Sequence, residues 1–353
     1  MSPVGHRPDR VVPKASAGQR PAGARPEQRD PEMTEKIVFL DHDTLGPGVS
    51  MRRPSFPHEW TAHGLTSADG VVNRAQGATI LVVNKVPLRE PVLDRLPDLR
   101  FVAVAATGTD NVDLAACKRR GIAVSNVQAY AVHTVPEHTF ALILALRRSL
   151  PAYRASVTAG DWQKSGQFTL LSHPIRDLHG STLGIVGEGA IGQAVADLGR
   201  AFGMQVLFSA HKGSTGMGPL YTPFEEVLER SDILTLHCPL TSATRNLFGE
   251  PEFGRMSRRP LVINTARGGL IDEAALVRAL EAGLISGAAV DAVSAEPPPL
   301  DHPFMRLIDR PDFILTPHVG WASLEARQEV ADQVTACIEA FVAGQPRNLV
   351  AAP

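Results

Sequence analysis

The feature that most constrains the fold of this chain is a glycine pattern placed between a strand and a helix. Thr182–Val186 is a short apolar run typical of a buried strand, and Gln193–Phe202 has helical periodicity. Between them stand Gly187, Gly189 and Gly192, in the spacing GxGxxG. The first glycine permits a tight turn, the second lets a pyrophosphate approach the backbone, and the third lets the helix pack on the strand. With the free N–H groups of the helix start, the segment predicts a dinucleotide-binding βα unit.

The rest of the chain alternates between strand-like and helix-like segments. Short apolar runs end in polar or glycine-containing turns, and helical patterns such as Asn111–Arg120 stand between them. Because such continuous apolar strands belong to parallel sheets covered on both faces, we expect an α/β fold with two parallel-sheet domains, Rossmann-like or flavodoxin-like. The 353 residues allow about two domains. A long helix over Thr134–Arg148 suits a connection between them. The expected strands are Ile37–Leu40, Thr79–Val83, Phe101–Ala105, Leu183–Val186, Val206–Phe208, Ile233–Leu236, Leu261–Asn264, Ala288–Val290 and Phe313–Leu315.

Composition argues against several classes of partner. The 35 basic and 37 acidic residues leave a formal charge of −2, so no nucleic-acid partner is expected. The longest apolar run, Phe140–Leu146, ends at Arg147, well short of the ~20 residues of a bilayer span, so no membrane partner is expected either. The three cysteines form no CxxC pair, which predicts a reducing cytoplasmic location, no disulfide framework and no metal site.

The first 33 residues differ from the rest of the chain. They are rich in Pro, Arg, Gly and Ala and poor in large aliphatic side chains, so we expect a disordered tail. The tail lacks the apolar core of a signal peptide and contains acidic residues, which argues against a targeting role. A functional start at Met33, directly before the first strand, is an equally open alternative.

Three polar residues after predicted strands form a candidate catalytic set. In an open parallel sheet the ligand crevice lies beyond the carboxyl ends of the strands. Arg267, Glu296 and His318 each follow one such strand. An arginine can hold an α-keto carboxylate and polarise its carbonyl, a histidine can donate the proton, and a glutamate can orient the imidazole and stabilise its protonated form. Downstream of a dinucleotide fingerprint, the set predicts carbonyl reduction.

The sequence resembles the D-isomer-specific 2-hydroxyacid dehydrogenase family across about residues 36–345. The resemblance rests on the fingerprint and on three blocks in the right order, NTARGGLID from Asn264, DAVSAEPPP from Asp291 and PHVGWAS from Pro317. Within the family, ATGTDNVD from Ala106, YAVHTVPEH from Tyr130 and the residues 165–168 most resemble hydroxypyruvate reductases, also called glycerate dehydrogenases.

The resemblance also implies roles for individual residues. Arg267 would bind substrate, and Glu296 would pair with His318 as acid/base. The backbone near Thr107 and Gly108 would hold the substrate carboxylate. Trp321 departs from the family pattern, since some relatives carry Ser at this position, and we expect it to shape the pocket toward a small substrate. Asp291 would hold the nicotinamide carboxamide, and Thr134 would meet the nicotinamide end. The implied cofactor-binding set is Thr134, Gly187, Gly189, Ala190, Ile191, Gly192, Ser209, His211, Lys212, Cys238, Pro239, Thr265, Ala266, Asp291, His318 and Gly320.

Together these observations predict the domain organisation and the reaction. We expect a discontinuous substrate domain of residues 34–129 and 317–353, with a dinucleotide-binding domain of residues 130–316 inserted into it. The expected reaction is NAD(P)H-dependent reduction of hydroxypyruvate or glyoxylate to D-glycerate or glycolate. Two alternatives stay open: another acid of the same family, such as 3-phosphoglycerate or 2-ketogluconate, and a dinucleotide-sensing protein of the corepressor kind.

Cofactor choice and assembly follow from two further segments. The strand end at Ser209 lacks the carboxylate that normally binds the adenosine ribose and repels a 2′-phosphate, and His211 and Lys212 follow it. We therefore expect use of both NADP and NAD, with NADPH modestly preferred. The family resemblance implies a homodimer, and the segments Thr134–Leu150 and Trp162–His173 are apolar enough to cover a partner. Glu188, inside the fingerprint, is expected to point to solvent.

Overall fold

The computed structural model describes residues 34–214 and 216–352, so the predicted tail of residues 1–33 lies outside the described part. The strands are β1 Glu35–Phe39, β2 His58–Ala62, β3 Ile80–Val83, β4 Phe101–Val104, β5 Ala123–Ser125, β6 Thr182–Val186, β7 Gln205–Ser209, β8 Tyr221–Thr222, β9 Ile233–Leu236, β10 Leu261–Asn264, β11 Gly287–Val290, β12 Phe313–Leu315 and β13 Leu349–Ala351. The α-helices are α1 Val71–Ala75, α2 Glu90–Leu93, α3 Leu114–Arg119, α4 Thr134–Arg147, α5 Leu150–Thr158, α6 Asp161–Ser165, α7 Ala190–Ala201, α8 Phe224–Arg230, α9 Glu250–Arg255, α10 Glu273–Glu281 and α11 Leu324–Val342. Short 3₁₀ turns occur at His42–Leu45, Ala68–Gly70 and Pro303–Leu307.

These strands form two separate sheets. The first has six strands in the order β13-β5-β4-β3-β1-β2, and the second has seven in the order β12-β11-β10-β9-β6-β7-β8. Every pairing is parallel except that of β13, which runs antiparallel to β5. The predicted α/β class with two parallel-sheet domains is therefore confirmed, with one antiparallel edge strand added.

Helices cover both faces of each sheet. On the first sheet, α1 to α3 pack on one face and α11 packs on the other, through Val330, Val334 and Ile338. On the second sheet, α8 to α10 cover one face, while α4 and α7 cover the other through side chains such as Ile143 and Val195. This two-sided covering explains why the strands read as continuous apolar runs in the sequence.

The chain passes between the two sheets twice. Residues 126–133 lead from β5 to α4, and residues 316–323 lead from β12 to α11. The start of α4 contacts the second crossing, since Thr134 Oγ1 donates a hydrogen bond to the Gly320 carbonyl at 3.1 Å. The first sheet is thus built from both ends of the chain, and the exact domain limits stay a prediction.

Candidate active site

The glycine fingerprint forms an open cradle at the carboxyl end of β6. Gly187 has φ +107°, and a Cβ there would lie 2.7 Å from the backbone of His237 and Cys238. A Cβ on Gly192 would lie 2.0 Å from the Gly187 carbonyl oxygen, so helix and strand meet more closely than alanine allows. Gly189 is the N-cap of α7, receives no side-chain cap, and has open space where a Cβ would stand. Free N–H groups beside open space fit a dinucleotide pyrophosphate.

The adenosine end of this cradle combines charged and buried groups. Ser209 is 3% exposed, and its hydroxyl donates to the Ala210 carbonyl at 2.8 Å rather than facing outward. His211 is exposed, while the Lys212 ammonium donates to the buried Glu252 carboxylate at 2.7 Å. Three residues were predicted to attract a 2′-phosphate. The Ser209 hydroxyl and the Lys212 ammonium are engaged within the protein, whereas the His211 ring has no hydrogen-bond partner among the described residues.

Glu188 does not simply point into water. It forms a hydrogen bond with Tyr221 of β8, whose pKa is raised first by desolvation and then by this bond. The expectation that Glu188 faces solvent is therefore only partly right, since the carboxylate is half-buried and engaged.

Other predicted cofactor contacts lie at the same edge of the second sheet. Cys238 and Pro239 follow β9, and Thr265 and Ala266 follow β10. The Thr265 hydroxyl contacts that of Thr139 on α4 at 2.9 Å. Burial raises the pKa of the Cys238 thiol to about 11, which fits a packing role rather than a nucleophile.

Asp291, directly after β11, connects this edge to the second crossing. Its carboxylate accepts hydrogen bonds from Thr316 Oγ1 at 2.5 Å, from Val319 N at 2.9 Å and from Gly320 N at 2.8 Å. His138 Nε2 of α4 lies 3.4 Å from it. Burial by itself would raise the pKa of Asp291, but the bonds from His138, Thr316 and the two backbone N–H groups lower it. The charged carboxylate therefore holds residues on both sides of position 318.

His318 and Glu296 form the predicted pair. Nδ1 of His318 lies 2.7 Å from Glu296 Oε2, and Glu296 Oε1 accepts a hydrogen bond from Val293 N at 3.1 Å. Burial by itself would raise the pKa of Glu296, whereas the bond and charge of His318, the Val293 N–H and nearby Lys85 lower it. The backbone of His318 has φ +54°, in the left-handed region that residues other than glycine rarely adopt. Asp291 accepts hydrogen bonds from Thr316 and Val319, on either side of His318.

The loop that carries Glu296 has its own support. The Glu273 carboxylate, at the start of α10, accepts hydrogen bonds from Ser294 N and Oγ, both at 2.7 Å, and lies 3.0 Å from His302 Nε2. A Cβ on Gly268 would lie 2.0 Å from the Val293 backbone, so this loop packs directly on the segment that follows β10. The loop that carries Glu296 is thus fixed from two sides.

Arg267 meets the predicted carboxylate-binding loop of the first sheet. A Cβ on Gly108 would lie 2.7 Å from Arg267 Nη2, so the guanidinium lies against this loop. Arg267 Nη1 also donates to the Ala266 carbonyl at 2.8 Å. The Thr107 hydroxyl donates to Val127 O at 2.8 Å, which leaves the backbone of the loop as its ligand-facing part. The structure therefore brings Gly108 together with Arg267.

A cavity of about 460 Å³ adjoins the catalytic pair and shows residues that the sequence reasoning missed. Glu296, His318 and Trp321 line one side, and Trp321 packs edge-on against Tyr130 at 6.2 Å between ring centroids. The missed lining residues are Thr44, Asn84 and Lys85. Asn84 and Lys85 directly follow β3, so the rule that found Arg267 would have found them if applied to the first sheet.

Residues 140–320 match the sequence profile described as "D-isomer specific 2-hydroxyacid dehydrogenase, NAD binding domain". This segment spans more than half of the chain and contains both the fingerprint and the three catalytic candidates. The chain belongs to this family. Its relatives include a glycerate dehydrogenase of Methylorubrum extorquens, 49% identical over 321 residues, which covers 91% of this chain and 100% of that protein. A hydroxypyruvate reductase of Blautia hydrogenotrophica is 33% identical, covering 89% of this chain and 99% of that protein.

Solved structures agree with this assignment. The NADPH-dependent glyoxylate/hydroxypyruvate reductase of Sinorhizobium meliloti has a TM-score of 0.75 and 28% identity, and the match covers 90% of this chain and 98% of that one. The predicted family and the prediction of a nicotinamide dinucleotide-dependent oxidoreductase are confirmed. No helix in residues 34–214 or 216–352 is long and apolar enough to cross a membrane. The same residues contain no group of three or more His, Cys, Asp or Glu side chains that could hold a metal ion.

Proposed function

We propose that this 2-hydroxyacid dehydrogenase reduces hydroxypyruvate and glyoxylate to D-glycerate and glycolate. The observation that carries the proposal is the His318–Glu296 pair, 2.7 Å apart, in the wall of a cavity. Reduction of small 2-oxo acids is supported by relatives that bear the names glycerate dehydrogenase, hydroxypyruvate reductase and glyoxylate reductase.

Different groups of the chain bind the substrate and transfer the proton. Backbone N–H groups near Thr107 and Gly108, with the Arg267 guanidinium, hold the substrate carboxylate and orient its carbonyl. The fingerprint glycines Gly187, Gly189 and Gly192 would hold the reduced dinucleotide, which would supply the hydride for C2. Because Nδ1 of His318 is engaged by Glu296, its Nε2 is the atom that delivers the proton to the carbonyl oxygen. His318 then regains its proton from solvent, and in the oxidative direction the same nitrogen accepts the proton.

The two alternatives are not favoured. Relatives that match over nearly their full length carry names of enzymes for small 2-oxo acids, rather than of sensors.

A turnover assay tests this proposal. Purified protein with NADPH or NADH is given hydroxypyruvate, glyoxylate, 3-phosphohydroxypyruvate and 2-ketogluconate, and the loss of absorbance of the reduced dinucleotide is followed. Highest kcat/KM with hydroxypyruvate or glyoxylate is the expected result. Preference for 3-phosphohydroxypyruvate or 2-ketogluconate, or an absence of turnover with all four, would reject the proposal.

We further propose that both dinucleotides are used, with NADPH modestly preferred. The end of β7 offers Ser209 instead of a ribose-binding carboxylate, and the exposed His211 adds a group that can carry positive charge. Engagement of Lys212 by Glu252 limits the preference, since much of its charge is neutralised. In Ser209→Asp the new carboxylate should shift kcat/KM toward NADH. A wild type that favours NADH by about tenfold or more, or a variant with an unchanged ratio, would contradict this proposal.

We also propose that the protein is a cytoplasmic homodimer. Large apolar side chains are exposed in the predicted partner-covering region, with Trp162 at 45%, Phe168 at 92% and Leu171 at 80%. Burial of such a surface is expected to drive association. A monomer at micromolar concentration in light scattering would contradict the dimer.

Cys117, Cys238 and Cys337 are free thiols, which is consistent with the proposed location in a reducing compartment.

A further inference from the structure

Lys85 stands in the cavity wall with no partner for its charge. It follows β3 directly and lines the cavity together with Thr44 and Asn84. Among the hydrogen bonds and ion pairs of residues 34–214 and 216–352, none involves its ammonium group. Lys85 is an exposed residue, and its side chain lines the same cavity as Glu296 and His318. Its three donors are therefore available to a ligand in the cavity.

The backbone that carries Lys85 is held in place by a buried carboxylate. Asp41, 2% exposed, accepts hydrogen bonds from Asn84 N at 2.9 Å, from Lys85 N at 2.6 Å and from Val86 N at 3.0 Å. Asn84 Nδ2 in turn donates to Thr44 Oγ1 at 3.0 Å. Three N–H groups on one carboxylate fix the turn after β3, so the polar wall is preorganised before a ligand arrives.

The charges around Lys85 place it close to the catalytic machinery. Partial removal from water lowers its pKa, Arg267 lowers it further, and Glu296, Asp41 and Asp110 act in the opposite direction. Both Glu296 and Arg267 are thus near enough to act on the ammonium. A ligand oxygen that accepted a hydrogen bond here would replace part of the lost hydration.

Lys85 is nevertheless separate from the proposed carboxylate-binding loop. The loop of Thr107 and Gly108 follows β4, the neighbour of β3 in the sheet, and it contacts Arg267. Neither Gly108 nor Arg267 lines the cavity, whereas Lys85 does. With C1 held at Gly108 and Arg267 and the C2 oxygen at His318, the next carbon of the substrate extends into the cavity. Thr44, Asn84 and Lys85 are the polar residues that the first sheet's side of the chain contributes to this cavity.

We propose that Lys85 is a specificity-determining residue, whose ammonium donates a hydrogen bond to the hydroxyl oxygen on C3 of the substrate. This inference rests on the proposed reduction of hydroxypyruvate and adds the group that recognises its third carbon. Pyruvate carries a methyl group at that position and glyoxylate has no third carbon, so neither gains from Lys85. The residue thereby favours hydroxypyruvate over both.

The test compares wild type, Lys85→Met and the control Lys118→Met, which changes an exposed lysine of α3. Each protein is assayed for kcat/KM with hydroxypyruvate, pyruvate and glyoxylate. Lys85→Met should lose about tenfold or more with hydroxypyruvate, as for one charge-assisted hydrogen bond, and less than about threefold with the other two acids. Lys118→Met should match the wild type with all three.

A binding measurement without turnover accompanies the assay. Calorimetry in the presence of the reduced dinucleotide compares D-glycerate, which has the C3 hydroxyl, with D-lactate, which lacks it. Lys85→Met should weaken binding of D-glycerate about tenfold and leave D-lactate unchanged. Equal losses with all acids would overturn the inference and assign Lys85 to the carboxylate or to Glu296. A wild type that reduces hydroxypyruvate no better than pyruvate would also overturn it, while a wild type inactive with every acid would reject the proposed function itself.

Discussion

Replacement of Asp291 by asparagine tests how the active-site histidine is held. The Asp291 carboxylate accepts hydrogen bonds from Thr316, Val319 and Gly320, which surround His318. His318 itself has φ +54°, a conformation that costs about 1–3 kcal/mol and persists only where its surroundings impose it. In Asp291→Asn, one oxygen becomes an NH₂ group, which cannot accept a hydrogen bond from a backbone N–H.

The expected cost follows from these contacts. One hydrogen bond to a charged group is worth about 1.5–3 kcal/mol, and the N–H left unpaired in a buried site adds about 1–3 kcal/mol. Relaxation recovers part of this, so we expect a loss of about 3 kcal/mol in the free energy of unfolding. Because the pKa of Asp291 is lowered in the folded state, its contribution is full above the ordinary range of aspartate, near pH 4, and is lost as pH falls through the lowered pKa. The difference between wild type and variant should therefore shrink below about pH 4.

Thermal unfolding and steady-state kinetics together provide the assay. Asp291→Asn should melt several degrees below the wild type and should lower kcat, because His318 is no longer held against the substrate. Asp309→Asn, at an exposed position, serves as the matched control and should change neither quantity. If Asp291→Asn kept its stability and kcat but bound the dinucleotide more weakly, the carboxylate would act only on the nicotinamide carboxamide, and the reasoning from its internal hydrogen bonds would be refuted.

Two other substitutions test the substrate anchor and the dinucleotide cradle. Arg267→Lys replaces a planar guanidinium with a compact ammonium and should both lower kcat and raise KM for hydroxypyruvate. A rise in KM alone would show that Arg267 binds substrate and transition state equally and does not polarise the carbonyl. Gly192→Ala would place a Cβ 2.0 Å from the Gly187 carbonyl, so the start of α7 must move and dinucleotide affinity should fall strongly in a fluorescence titration. Gly254→Ala, where a Cβ meets nothing within 4 Å, is its control, and equal affinities of the two variants would contradict the close helix–strand contact.

Much of the fold was predictable because buried strands have a strong sequence signal. β9 and β10 lie where their apolar runs predict, since both faces of these central strands are covered. β12 is an edge strand, and it also lies where its apolar run predicts. β2 has no such run, because it is an edge strand whose sequence HEWTA is largely exposed. β8 contains only two residues, too few for a periodic pattern, and β13 is an edge strand whose first residue, Leu349, is exposed.

The candidate site was predictable where a residue with a side chain suited to the reaction directly follows a predicted strand. The structure places Arg267 against Gly108 and Glu296 beside His318, as predicted. The partners of buried groups carry no such signal: Ser209 bonds its own neighbour, and Lys212 finds Glu252, 40 residues further along the chain. Lys85 was missed because a single lysine in a loop resembles any surface lysine in the sequence. Only the fold shows that its side chain lines the cavity.

The pH dependence of the two directions of the reaction tests the central claim most directly. His318 must be protonated to reduce and unprotonated to oxidise, so kcat/KM should fall with rising pH in reduction and rise in oxidation. The Glu296 carboxylate, whose pKa is held below its usual range, stabilises the protonated imidazole, and Glu296→Gln should therefore move the fall in reductive kcat/KM to lower pH. His318→Ala should lose at least about 10²-fold in kcat while retaining dinucleotide binding. An unchanged pH profile in Glu296→Gln, or near-normal turnover in His318→Ala, would contradict the assignment of this pair as the acid/base of the reaction.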